Sequence, residues 1–110
     1  MSVKREIKES TFLKPMPQGV DEIIAYTLTT TPWGSSPSSV SVAVKDVTAG
    51  AAATDVTNTV MPTNSPTVSG DVITLSPLKL LTDSHKYRVE VKFTCSGNVL
   101  EARAHILAEE

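Results

Sequence analysis

Apolar and polar residues alternate most strictly in the last third of the chain. Across residues 87–93, Tyr87, Val89, Val91 and Phe93 share one parity, and Arg88, Glu90 and Lys92 take the other. Successive side chains of a strand project to opposite faces, so this parity predicts a strand with one face on a core and one in water. Cys95-Ser96-Gly97-Asn98 follows, with Gly97 or Asn98 able to take the positive φ of a tight turn. Beyond it, Leu100, Ala102, Ala104 and Ile106 alternate with Glu101, Arg103 and His105, which predicts the returning strand of a hairpin. The larger inward side chains are worth roughly 1.5–3 kcal/mol each on full burial. That is a large share of the ~5–15 kcal/mol net stability of an ordinary domain.

The same two-residue period recurs earlier. In residues 22–29, Ile24, Tyr26 and Leu28 share a face, with Ile23 and Ala25 on the other. In residues 38–46, Val40, Val42 and Val44 point inward and Ser39, Ser41 and Lys45 outward. Residues 55–60 read as a short edge strand, 61–66 as a long turn, and 67–75 as two short extended stretches joined through Gly70-Asp71. The small-residue stretch 48–53 reads as a loop. The prolines and glycines between these stretches, with abundant Ser, Thr and Val, disfavour helix. Several short strands separated by turn signals predict an all-β sandwich or barrel.

Residues 1–21 stand apart as an N-terminal arm or edge strand ahead of a body over residues 22–110. Residues 3–11 suit an edge strand or extended tail. Residues 13–19 are expected to interrupt regular pairing, because Pro15 and Pro17 remove two backbone donors. Two readings stay open: a loosely held terminus plus a first strand, or an arm that adds to a neighbouring subunit's sheet. Val3, Ile7, Phe12, Leu13 and Met16 are its apolar candidates for contact. Trp33, the single tryptophan, falls in the break at 31–37 and reads either as a core plug or as an exposed contact aromatic.

The 110 residues are one domain's worth, enough to bury roughly 65% of the unfolded chain's surface. A net charge of −2 argues against nucleic acid as a partner. Lys4, Arg5 and Lys8 are interrupted by Glu6 and Glu9 and read as a solvated face. No apolar run approaches the ~20 residues of a membrane helix, so no membrane association is expected. The charged first ten residues do not read as a secretory signal, and the lone Cys95 cannot form an intrachain disulfide. The fold must hold through packing alone.

Candidate chemistry is sparse. His85 and His105 read as surface histidines. Asp83-Ser84-His85 has the residue types of a triad, but chain neighbours rarely meet in that geometry, and a turn with local side-chain hydrogen bonds is the better reading. One Cys and two His do not make a closed zinc site, and Asp46, Asp55, Asp71 and Asp83 are dispersed. Asp21-Glu22 and Glu109-Glu110 are adjacent acids whose side chains diverge. No phosphate-cradling glycine loop is present. Cys95 reads as an inert thiol, since nothing basic adjoins it. No catalytic residue, metal or cofactor is expected, and no enzymatic activity.

Leu81-Thr82-Asp83-Ser84-His85-Lys86-Tyr87, followed by alternating Val89 and Val91, resembles the tyrosine corner of fibronectin type III and immunoglobulin-like domains. There the Tyr hydroxyl bonds back to upstream backbone. The resemblance implies an immunoglobulin-like antiparallel β-sandwich, with Leu81 and Tyr87 as structural residues. The Pro-Gly usual in that loop is missing. More broadly, Gly70-Asp71-Val72-Ile73-Thr74-Leu75, Leu81, the strand 87–93 and Gly97-Asn98 are similar in texture to small immunoglobulin-like structural proteins of tailed bacteriophages. That similarity covers residues 70–107. It implies a non-enzymatic virion protein, made in the host cytoplasm, most specifically a capsid decoration or minor head protein. Its partners would be other virion proteins or further copies of itself in an oligomer or lattice. The arm and the loops at 31–38 and 60–69 would carry the contacts, with Trp33 among them. The competing expectation is an immunoglobulin-like cell-surface recognition module that binds protein or glycan.

Overall fold

The computed structural model describes residues 3–7, 16–31, 34–48, 53–95 and 97–109, with backbone only at 3–7 and 16. The described residues are mostly β-strand, with almost no helix. Its elements are β1 (Val3–Ile7), β2 (Met16–Gly19), β3 (Ile24–Thr29), β4 (Ser38–Asp46), β5 (Thr54–Asp55), α1 (Thr57–Val60), β6 (Thr67–Ser69), β7 (Val72–Thr74), β8 (Lys86–Cys95) and β9 (Asn98–Glu109). They form two sheets, ordered β1-β3-β7-β6 and β2-β9-β8-β4-β5.

The parity of the sequence decides the faces. Ile24, Tyr26 and Leu28 of β3 and Ile73 of β7 are fully buried. They belong to one apolar cluster with Val42 and Val44 of β4, Val89, Val91 and Phe93 of β8, and Ala102, Ala104 and Ile106 of β9. The two sheets therefore share a single core. The β8–β9 hairpin keeps unbroken register from Lys86↔Leu107 to Cys95↔Asn98. In its turn Gly97 supplies a φ of +81° that an L side chain adopts only with strain. Cys95 is the last residue of β8, buried and unpaired, rather than part of the turn.

Three expectations need correction. First, residues 16–19 do pair. β2 runs parallel to β9 from Met16↔Ile106 to Gly19↔Glu109, and β1 runs parallel to β3 from Val3↔Ile24 to Ile7↔Leu28, so the sheets are not purely antiparallel. Pro17 is tolerated because β2 is an edge strand and needs donors on one side only. The described parts of the expected arm thus lie on the edges of the chain's own sheets. Second, only Thr54 and Asp55 of the predicted 55–60 strand pair with β4. Thr57–Val60 is a helical turn instead. Asp55 drives the switch: its carboxylate accepts from the Thr57 N–H at 3.0 Å and the Thr57 hydroxyl at 2.7 Å, a local alternative to the sheet ladder. Third, β4 is not regular from end to end. Its register with β8 shifts between Ser38 and Ser41, and Ser39 takes a φ of +52°, a bulge near the strand's start.

Candidate interaction site

Both ends of the β7–β8 connection are fastened by tyrosines. Tyr87 is buried at the start of β8, and its hydroxyl accepts the Thr82 N–H at 2.9 Å. Leu81 is buried just before Thr82. The connection leaves one sheet after β7 and enters the other at β8, so this hydrogen bond pins the crossing. Near its beginning, Leu78 exchanges backbone hydrogen bonds with Ile24. The carbonyl of Leu78 also accepts from Gln18 Nε2 at 2.8 Å, and Tyr26 donates its hydroxyl to Gln18 Oε1 at 2.7 Å. Gln18 is completely buried, so β2 is tied through a polar hub to β3 of the opposite sheet. No described buried side-chain nitrogen or oxygen lacks a partner.

His85 is not a free surface side chain. Its Nδ1 lies 2.7 Å from Asp46 Oδ2, and its ring stacks near that of Tyr87 with centroids 6.3 Å apart. Asp46 also accepts the N–H and hydroxyl of Thr48, and the Thr48 hydroxyl accepts the Lys86 N–H at 2.9 Å. Partial burial pushes the Asp46 carboxyl up. The hydrogen bonds from Thr48 and His85 outweigh it and hold the group below the ordinary carboxylate range. Hydrogen bonds from the Thr57 N–H and hydroxyl lower Asp55 in the same sense. His105 lies apart, on the outer face of β9 opposite Arg88. Among the described residues, no three His, Cys, Asp or Glu side chains are placed to hold a metal ion.

At the other end of the sheets, Asp71 in the β6–β7 turn braces the loop between β3 and β4. Its carboxylate accepts from the Ser36 N–H at 3.1 Å and the Thr31 hydroxyl at 3.2 Å, and its carbonyl accepts the Thr30 N–H at 2.7 Å. Gly70 beside it carries a φ of +58°. The loop that contains Trp33 is therefore held by its flanks. Trp33 itself, with Phe12 and Leu13, lies outside the described residues. The side chains of Val3, Ile7 and Met16 also lie outside the description, although their backbones belong to β1 and β2.

The free edge of β4 is closed without a strand. Beyond two-residue β5, Thr57 Oγ1 accepts the Val44 N–H at 2.8 Å, Val56 donates to the Val44 carbonyl, and Asn64 Nδ2 donates to the Val42 carbonyl at 2.8 Å. Side chains of α1 and its following turn thus occupy hydrogen-bonding positions that another chain's strand would need. The outer face of the five-stranded sheet is open to solvent. Small residues on β4 leave a hollow of about 250 Å³ there, lined by Ser41, Ala43, Glu90, Lys92 and Glu101. Arg88 pairs with Glu90 at 2.7 Å and Arg103 with Glu101 at 2.9 Å along the neighbouring strands.

Leu80 is conspicuous in the opposite sense. It is 63% exposed and takes a φ of +59°, a conformation that costs an L residue roughly 1–2 kcal/mol. Sequence reasoning missed Gln18, the Asp46–His85 pair, the Asp71 brace and Leu80. Each depends on residues far apart in the chain or on a backbone angle, and none has a spacing signature.

No family model matches the chain, and neither a curated protein nor a solved structure is significantly similar to it. Among the described residues no helix is long and apolar enough to cross a membrane.

Proposed function

We propose that the protein is an immunoglobulin-like structural protein of a tailed-phage virion, a capsid decoration or minor head component that works through protein–protein contacts. The orders β3-β7-β6 and β9-β8-β4 match the B-E-D and G-F-C orders of the immunoglobulin sandwich. β1, parallel to β3, is an addition to that pattern. The observation that carries the reading is the Tyr87–Thr82 hydrogen bond at the sheet-crossing connection, the feature by which a tyrosine corner is recognised. A rigid crosslink-free body with braced connecting segments suits repeated contacts in a lattice or ring, and sandwiches present such contacts on loops and faces.

The test is mass spectrometry of purified particles from the source of the gene, together with identification of the flanking genes. The reading expects the chain in tailed particles at many copies each, beside portal, capsid or tail genes. Its absence from particles, with an exporter or surface anchor encoded next to it, contradicts the reading and favours a cell-surface recognition module.

A further inference from the structure

Residues 3–19 supply one edge strand to each sheet, and the two strands are held differently. β2 is fixed where it lies. Gln18 is completely buried and ties it to Tyr26 and Leu78. Gln18 Nε2 also donates to the Glu22 carbonyl at 3.1 Å, the Gly19 N–H donates to Glu22 Oε1 at 2.6 Å, and Val20 donates to the Glu109 carbonyl. Only residues 20–23 separate β2 from β3, so β2 stays with the β3 of its own chain. What is described of β1 is a parallel ladder on β3, five residues long. Parallel pairing is slightly less stable per residue than antiparallel pairing.

The edge that β1 covers needs a strand. Ile24 exchanges backbone hydrogen bonds with Leu78, and the Tyr26 carbonyl accepts the Leu75 N–H, so these two residues direct their groups away from β1. Alternate residues of a strand direct their N–H and C=O to opposite edges. Ala25 and Thr27 therefore turn theirs toward β1, where Lys4 and Glu6 are their register partners. Left bare, such an edge is a template for another extended chain. The strand that fits it in register is present in every copy of the protein. Residues 8–15 join β1 to the anchored β2. Eight residues reach roughly 28 Å when extended. That is more than the molecule's shortest dimension of 24 Å. The tether is long enough to lay β1 on its own β3 or on the β3 of a copy packed alongside.

We infer that β1 is an exchangeable strand: β1 of a second copy takes the place of β1 on β3, in the same register, and links the two copies. The anchored β2 and the tether after β1 set which part moves. Exchange of an identical element keeps every ladder hydrogen bond and leaves no β3 edge bare, so the balance between the two states is set by concentration. A short tether holds its strand at an effective concentration on the order of millimolar. In dilute solution β1 therefore pairs within its own chain, and it exchanges when copies are crowded to that level. The inference goes beyond the virion reading and does not depend on it.

Trapping across the ladder tests this on the full chain. Two single variants, Glu6→Cys and Thr27→Cys, are mixed and oxidised, since Glu6 and Thr27 are register partners. Cys95 is buried, and the wild-type chain treated alike measures its background. Glu6→Cys mixed with Val99→Cys, an exposed position in the other sheet, measures random collision. At about 1 mM the Glu6/Thr27 pair should give a disulfide-linked heterodimer at least about tenfold above its level at about 10 μM, and above the collision pair by a similar factor. Sedimentation equilibrium of the wild-type chain should show mass rising over the same range. The double variant Glu6→Cys with Thr27→Cys, oxidised when dilute so that the bond closes within one chain, should stay monomeric at about 1 mM. A heterodimer no more abundant than the collision pair overturns the proposal. So does a wild-type chain that stays monomeric at about 1 mM, or a closed double variant that associates as strongly as the wild type.

Discussion

At the scale of single residues, the buried polar groups set the energetic stakes. Tyr87→Phe removes the acceptor of the Thr82 N–H, and because Thr82 is exposed the loss is that of an ordinary hydrogen bond, about 0.5–1.5 kcal/mol. Urea unfolding should show that loss with the native spectrum unchanged. Gln18→Ala is expected to cost at least as much, since it removes the Gln18 acceptor of the buried Tyr26 hydroxyl and one of the two donors to the Leu78 carbonyl. Adding Tyr26→Phe to Gln18→Ala should recover part of the loss, as groups in one network are not additive. The Tyr87 role was legible because its spacing from Leu81 is local. Gln18 was not, because its partner Leu78 lies 60 residues away and nothing in the Pro-Gln-Gly context marks an inward side chain.

Protonation belongs to the same scale. Asp46 and Asp55 both have carboxyls lowered on folding. The stability they contribute is full above the unfolded value of about 3.9 and is lost as pH falls through the lower folded values. Unfolding followed from pH 7 to pH 2 should therefore steepen below about pH 4. Asp46→Asn should be less stable at neutral pH and show a shallower acid decline. An acid limb identical to that of the wild type would rule Asp46 out as a contributor.

Among the elements, the β8–β9 hairpin is the anchor. Val91 is fully buried between Val42 and Ala102, while its neighbour Lys92 faces water between Ser41 and Glu101. Val91→Glu should leave no cooperative unfolding transition, and Lys92→Glu should stay within ~0.5 kcal/mol of the parent, as surface changes do. Equal destabilisation at both sites would refute the assigned facing. The alternation made this hairpin readable, since parity alone separates core from solvent. The 57–60 turn was not readable, because Asp55 and Thr57 suit a strand end and a local side-chain turn equally until burial of Thr57 decides.

For the whole molecule, sequence parity indicated how many faces needed burying but not which strands lie side by side. Pairing is non-local, and the parallel placement of β1 and β2 follows from no pattern in residues 3–7 or 16–19. Pro17 even argued against it. What unites the molecule is one core fed by both sheets, with Tyr26 and Phe93 as its largest fully buried side chains. No disulfide supports it, so the sheets stand or fall together. Amide hydrogen exchange under reducing conditions tests that union most directly. The account predicts slow exchange, approaching the rate of global unfolding, for amides of β3 in one sheet and β8 in the other alike. Strong protection of β8 and β9 with rapid exchange throughout β3 would contradict it.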